Sequence, residues 1–370
     1  GAAAGTSRIL ELTAPQQAWT FIGLDAAPVP SLLRGFSAPV VLDFAEDDAA
    51  LAFRMAHDSD PFNRWDAAQR YQERVLLERA RTLAEGGQSR LPAAFLAAFE
   101  RLLQDQSLSP AFVAQALQPP AEAWLLERLE PAQPDALRAA LKAYWSDLGR
   151  TFAPHWRQLH GTLAPSGTYR YDPRDAGQRA LRNLCLRVLS AAGDGDLARA
   201  QFAGATNLSE RLGALAALVQ SADPGRDAAI RAFEQRYATD PLVLDKWFAV
   251  QAGGWSWSED SESGLDRVRR LMGHPAFTLN NPNKVYALLG TFFRTNAGEF
   301  HRRDGAGYGF WADRILELDS INPQVAARLA RCLERWRAFA PVWRTGMQDA
   351  LERVAAHPGL SRGVAEIVGK

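Results

Sequence analysis

Three dipeptides set the strongest limit on how this chain can fold. Asp240-Pro241, Asn281-Pro282 and Asn322-Pro323 follow one another at intervals of 41 residues. Each is a helix start: the Asx side chain accepts from free N–H groups of the first turn, and proline fills the first helical position, where a missing N–H costs nothing. Apolar residues stand three and six positions beyond each proline: Leu244 and Trp247, Val285 and Leu288, Ala326 and Leu329. A period near 40 residues with paired helices predicts a solenoid of the armadillo or HEAT kind. Upstream of residue 240 the register cannot be followed in the sequence.

Two unequal regions flank this signal. Residues 7–44 run in short β-rich stretches, SRILEL, AWTFIGL and APVVLDF, broken by Pro, Gly and Asp, and are expected to be strands. Three such strands cannot make a self-sufficient sandwich. From about residue 46 to the end the period is helical. In DPRDAGQRALRNLCLRVL, Asp172 caps, Pro173 begins, and Leu181, Leu184, Cys185, Val188 and Ala192 share one face. Cys185 therefore reads as a small core residue rather than a nucleophile. Leu208, Leu212, Leu215 and Val219 repeat the scheme, as do Met347, Ala350, Leu351 and Val354.

Composition narrows the function. The 42 basic and 42 acidic residues cancel, which removes the strongest reason to propose nucleic acid or an anionic membrane as a partner. No apolar run approaches a membrane span. A 47% hydrophobic content with 11 Trp and 18 Phe is far from a disordered composition. Two cysteines, Cys185 and Cys332, are too few for a disulfide framework and fit a reduced, cytoplasmic compartment. GAAAGTSRIL carries neither an initiator Met nor a signal sequence, so the chain is expected to be a piece of a longer one.

In the last repeat, Val325, Leu329, Cys332, Leu333 and Trp336 form an expected packed stripe, with Gln324, Arg328, Arg331 and Arg335 as a polar stripe beside it. Gln324 and Arg328, one turn apart, project from the same face. Spacing alone favours a solvated face. One detail points toward use instead: Lys284 sits in the first turn of its helix, where the macrodipole disfavours a cation.

Catalytic motifs are missing. None of the six histidines (His57, His155, His160, His274, His301, His357) opens an HExxH motif, and His155 and His160, five apart, fall on different sides of a helix. There is no GxSxG elbow and no Walker loop. DGAGYGF, with Gly305, Gly307 and Gly309, follows no strand and reads as a glycine-rich helix connection. SWSEDSESG (256–264) lacks calcium-loop spacing and reads as solvated linker.

Taken together, NRWDAAQ (63–69), GFSAPV (35–40), TLNNPNKVYALLGTFF (278–293), HRRDGAGYGF (301–310) and SINPQVAARL (320–329) closely resemble, in order, the C-terminal region of the bacterial aminopeptidase N family of zinc metallopeptidases. The resemblance implies a mainly α, superhelical armadillo/HEAT-like stack of helix pairs over residues 47–370. Residues 1–46 would be the terminal strands of a small, incomplete β-sandwich. It implies partners, namely the catalytic and β-domains of the same parent protein and peptide substrates, and a helical lid closing over a chamber that admits peptide N-termini. Gln324 and Arg328 match the family's chamber-lining pair, and Lys284 matches a basic position after Asn-Pro. Tyr286 departs, standing where well-known bacterial relatives carry a second Arg. The zinc, its ligands and the general base would belong to the catalytic domain, so this chain by itself is expected to hold no cofactor and to be inactive. The competing expectation is an independent helical-repeat scaffold that binds a peptide or protein in its concave groove.

Overall fold

The computed structural model describes residues 7–165, 167, 169–255 and 262–369. From residue 48 onward it is helical throughout, as the periodicity predicts. The expected strands are not formed: among the described residues 7–45 there is no sheet ladder, only a short 3-10 turn at Arg34–Phe36. Ile9, Ile22 and Val41 stand 86%, 89% and 99% exposed. β-propensity creates a strand only when a second segment pairs its N–H and C=O groups, and among the described residues none does so for these runs. The segment is instead tied down by side chains. Asn63 donates through Nδ2 to Ser31 Oγ (2.9 Å) and to the Leu32 carbonyl (2.8 Å), and Arg34 donates to Asp58 Oδ1 at 2.9 Å. Arg70 reaches the Phe44 carbonyl at 3.1 Å. The neighbouring Arg64 is buried and holds the Met55 and Ala56 carbonyls at 3.0 and 2.8 Å, so the NRW stretch works as an anchor.

The three Asx-Pro starts behave as their chemistry dictates. Asp240 Oδ1 accepts from the N–H groups of Leu242 and Val243, Asn281 Oδ1 from that of Asn283, and Asn322 Oδ1 from that of Val325. The apolar positions beyond each proline are buried: Leu244, Trp247, Val285, Leu288, Ala326 and Leu329. The stack also continues upstream of residue 240. Pro173–Ala191 pairs with Asp196–Gly204, and Leu208–Val219 with Arg226–Arg236, each long helix packing on the next. Their caps, Asp172 and Asn207, accept as the later ones do. Gly149 lets the helix Pro134–Thr151 meet Pro173–Ala191 closely, because a Cβ there would lie 2.4 Å from the Val188 carbonyl oxygen.

Stretches far apart in the sequence meet within the stack. Ala132 and Ala338–Ala340 exchange backbone hydrogen bonds of 2.9 and 3.0 Å, Arg335 pairs with Glu127 at 2.9 Å, and Arg303 pairs with Asp135 at 2.5 Å. Deeper in, Arg138 grips Glu122 through Nε and Nη2 at 3.0–3.1 Å and gives a further hydrogen bond of 2.9 Å to Asn296 Oδ1. Residues 122–151 are thereby fastened to residues 296–340, beside a half-open hollow. No described helix is long and apolar enough to cross a membrane.

Candidate functional site

The sequence singled out Gln324, Arg328, Lys284 and Tyr286. On the helix Pro323–Ala330, burial of Val325, Ala326, Leu329 and Ala330 turns Gln324 and Arg328 outward together. The Arg328 guanidinium lies 5.0 Å from the centre of the Tyr286 ring, and its backbone carbonyl accepts from Arg294 Nη2 at 2.9 Å. Tyr286 opens an unusual stretch. Pro282–Val285, Tyr286–Gly290 and Thr291–Thr295 run on as one helix whose middle is wound as a π-helix, a device frequent at functional sites. Arg328 forms no ion pair with a described residue, and neither its guanidinium nor the Gln324 amide hydrogen-bonds to one. Gln324, Arg328 and Tyr286 therefore make one open, cationic, aromatic surface.

Lys284 does not join them. Its side chain is 8% exposed, and its ammonium lies 2.7 Å from Asp245 Oδ1 and donates to the Pro241 carbonyl at 2.9 Å. The Asp245 contact is close but poorly directed, an ion pair rather than a good hydrogen bond. The Phe248 ring centre is 5.8 Å away. The cation that the macrodipole disfavours is thus neutralised by the preceding repeat and ties the two repeats together. The polar stripe is also shorter than expected. The α-helix ends at Ala330, and 3-10 turns at Arg331–Leu333 and Trp336–Ala338 follow. Arg331 pairs with Glu334 at 3.4 Å and Arg335 with Glu127, while Cys332 and Trp336 are only half-buried.

Sequence reasoning missed the hollow. It has a volume of about 520 Å³ and is lined by Trp145, Arg187, Gln220, Trp255, Thr291 and Thr295 among others. Thr291 Oγ1 bonds back to the Tyr286 carbonyl at 3.4 Å, so the helix that carries the aromatic surface at its start carries the hollow's wall at its end. The Arg187 guanidinium stacks 4.4 Å from the Trp145 ring centre. In the sequence Arg187 is one polar residue on a helix, and no spacing rule connects it to Trp145 or to Trp255.

Of the remaining reactive side chains, Cys185, His160 and His301 are committed to the core. Burial pushes the Cys185 thiol up to about 12. His301 is buried, hydrogen-bonded to the Tyr308 hydroxyl at 3.1 Å, and burial pushes it down to about 3. His155 contacts Gln104 at 2.7 Å and His160 contacts Gln201 at 2.9 Å, two different neighbours, as their spacing requires. Gly305, at φ +71°, precedes the helix Ala306–Ile321, which contains Gly307 and Gly309. Most of the acidic stretch 256–264 lies outside the described residues. Among the described residues no three His, Cys, Asp or Glu side chains come together as a metal site would need.

Comparison with known proteins gives these features a context. The family described as "Domain of unknown function (DUF3458_C) ARM repeats" matches residues 48–370, and a companion described as an Ig-like fold, DUF3458, matches residues 1–45. Aminopeptidase N of Caulobacter vibrioides is 38% identical over 382 residues, covering 100% of this chain and 43% of that protein. Aminopeptidase N of Escherichia coli is 33% identical over 98% of this chain and 41% of its own length. The crystal structure of Legionella pneumophila aminopeptidase A in complex with aspartic acid superposes with a TM-score of 0.80 at 28% identity, over 93% of this chain and 40% of that one. The chain thus spans less than half the length of the relatives it matches, and it matches the C-terminal region of aminopeptidase N.

Proposed function

The chain belongs to the DUF3458_C family of ARM repeats, and from that premise we propose that it is the non-catalytic, chamber-forming part of a zinc-dependent aminopeptidase N. The observation that carries this reading is the likeness to aminopeptidase N along the whole chain, 38% identity over 100% of its residues, while it spans 43% of that relative. In this proposal the stack caps the catalytic domain and restricts access to the N-termini of short or unfolded peptides. Enclosure of that kind excludes folded proteins and strengthens the field of lining charges. The zinc fits no cluster of described residues here, so its ligands and the general base are assigned to the other part of the parent protein. Two free cysteines accord with a cytoplasmic setting.

Within the chamber we assign peptide contact to Gln324, Arg328 and Tyr286. Support comes from Arg328, whose charge is not matched by any described carboxylate and whose position is fixed by the Tyr286 ring. A guanidinium resting against an aromatic ring, with no carboxylate paired to it, keeps N–H groups for a substrate carbonyl. The test is Arg328→Ala in the full-length enzyme. For tri- and tetrapeptides KM should rise about tenfold, the worth of one charge-assisted hydrogen bond. An aminoacyl anilide too short to reach the groove should be turned over as before, and stability should stay within about 0.5 kcal/mol. Unchanged peptide kinetics with a lowered thermal midpoint would assign Arg328 to packing instead.

A further inference from the structure

The hollow has chemistry of its own, apart from the Arg328 surface. Two charged groups line it, Glu122 and Arg187. Glu122 is spoken for: Arg138 grips it through three hydrogen bonds, and both side chains are at most 10% exposed. Arg187 has no such match. It makes no ion pair and no hydrogen bond with any described residue, and its Cζ lies over the Trp145 ring, 4.4 Å from the ring centre. Burial lowers its affinity for its proton, to about 10, with the Glu122 charge offsetting only part of that; a guanidinium nevertheless stays charged at neutral pH. The indole N–H of Trp145, itself 1% exposed, has no partner either, and Gln220 bonds the Gly253 carbonyl through Nε2 at 2.7 Å while its Oε1 is unmatched.

From this arrangement we propose that the hollow is a carboxylate-binding site, in which Arg187, braced on Trp145, takes up the carboxylate of a peptide tail or of a small free acid. Three features select that class. The net uncompensated charge is one, which a monoanion neutralises; a phosphate, carrying nearly two negative charges, would leave an excess facing Glu122. The guanidinium carbon lies over the indole at 4.4 Å and its N–H groups bond no described residue, so a carboxylate can take two parallel N–H donors at its own spacing. The rest of the wall is amide, hydroxyl and apolar surface, including Gln118, Trp255, Val250 and Thr295, which suits a short peptide or organic acid and offers nothing that would hold a metal. This site does not depend on the chamber reading, because it concerns binding without turnover.

The test uses the full-length protein and isothermal titration at low salt with N-acetyl-trialanine as the free acid and as its C-terminal amide. The acid should bind about tenfold more tightly than the amide. Arg187→Gln should abolish that difference, and Arg187→Lys, which keeps the charge without the planar fork, should retain only part of it. Arg328→Ala should leave the difference intact, which separates this site from the groove. Sodium acetate serves as the free-acid arm: displacement of the peptide by acetate at comparable concentration identifies a small acid as the occupant, and failure to displace identifies a peptide tail. Equal binding of acid and amide by the wild-type protein would overturn the proposal. So would an undiminished preference in Arg187→Gln, or tighter binding of inorganic phosphate than of either carboxylate. If Arg187→Gln does not fold, the acid–amide comparison on wild type and Arg187→Lys decides the question alone.

Discussion

Arg138 joins two distant stretches of the stack, and its removal has a calculable cost. Its guanidinium is shared between Glu122 and Asn296, at 3.0–3.1 and 2.9 Å, and it stacks 4.5 Å from the Trp255 ring centre. Arg138 and Glu122 are 8% and 10% exposed on their side chains. Arg138→Met keeps much of the apolar stem but leaves a buried carboxylate without its cation, a change that costs about 3–5 kcal/mol. Two features pull the figure toward the lower end. Glu122 borders the hollow, where water reaches it, and it is the first residue of its helix, where the dipole favours a negative charge by about 0.3–1 kcal/mol. Asn296, fully buried, keeps its bonds to the Ala252 and Gly254 carbonyls but loses the donor to Oδ1, adding about 1 kcal/mol. The expected loss is therefore about 4 kcal/mol, a large part of a typical stability. In Arg138→Met with Glu122→Leu no carboxylate is stranded, so the double variant should recover most of that loss. Urea unfolding of the whole chain gives both numbers, and hydrogen exchange should show faster opening of residues 291–300 in the single variant only. A single variant within about 1 kcal/mol of wild type, or a double variant no better than the single, would refute the reasoning.

Other outcomes follow from individual side chains. Trp247 is 2% exposed and donates to the Ile230 carbonyl at 3.0 Å, so Trp247→Ala should cost about 3–5 kcal/mol in urea unfolding, and Trp247→Phe, which loses mainly the hydrogen bond, about 1 kcal/mol. His301 is pushed down to about 3, so the folded state keeps it neutral while the unfolded chain protonates near its ordinary 6.5. Its stabilisation is complete above pH 6.5 and is lost as pH falls from there toward 3, about 2 kcal/mol by pH 5. A His301→Gln variant should lack that part of the acid sensitivity when stability is measured across pH 7 to 5. Cys185, buried with its thiol raised to about 12, should react with a thiol reagent only on unfolding, as mass spectrometry of labelled protein would report.

The helical repeats were legible because their signal is local. An Asx side chain and a proline act on the first turn of their own helix, and the apolar positions follow within two turns. The same argument explains where reading stopped. Asn207 caps Leu208–Val219 by the same chemistry but is followed by Leu208 rather than proline, and its repeats are shorter than the later ones, so neither cue appears. Features that need a distant partner were invisible. The β-rich runs of residues 7–44 had the composition of strands without a pairing edge. The helix from Pro323 was expected to continue past Ala330, but backbone hydrogen bonds between Ala132 and Ala338–Ala340 capture the chain, and residues in between tighten into 3-10 turns. A stripe drawn on an ideal helix cannot anticipate a carbonyl some 200 residues away.

The cations show why partners matter more than positions for function. By position, Lys284 was the suspicious one, a positive charge at the wrong end of a helix. By partner it is spent, because Asp245 lies 2.7 Å from its ammonium. Arg331 and Arg335 are likewise drawn to Glu334 and Glu127. Arg328 and Arg187 differ in kind, since what each rests on is an aromatic ring. A carboxylate cancels the charge of a guanidinium and occupies its edge; a ring quadrupole does neither, yet still fixes the plane. Stacking thus costs the arginine its freedom but not its charge, which is the preorganised state that binding a carbonyl or carboxylate requires. The two ring-braced arginines stand on the two surfaces served by the Pro282–Thr295 helix segments, one against Tyr286 at its start and one lining the hollow with Thr291 and Thr295 near its end. That pairing of uncancelled charge with ring contact makes these two the candidates for ligand contact, whereas the other three are spent on carboxylates.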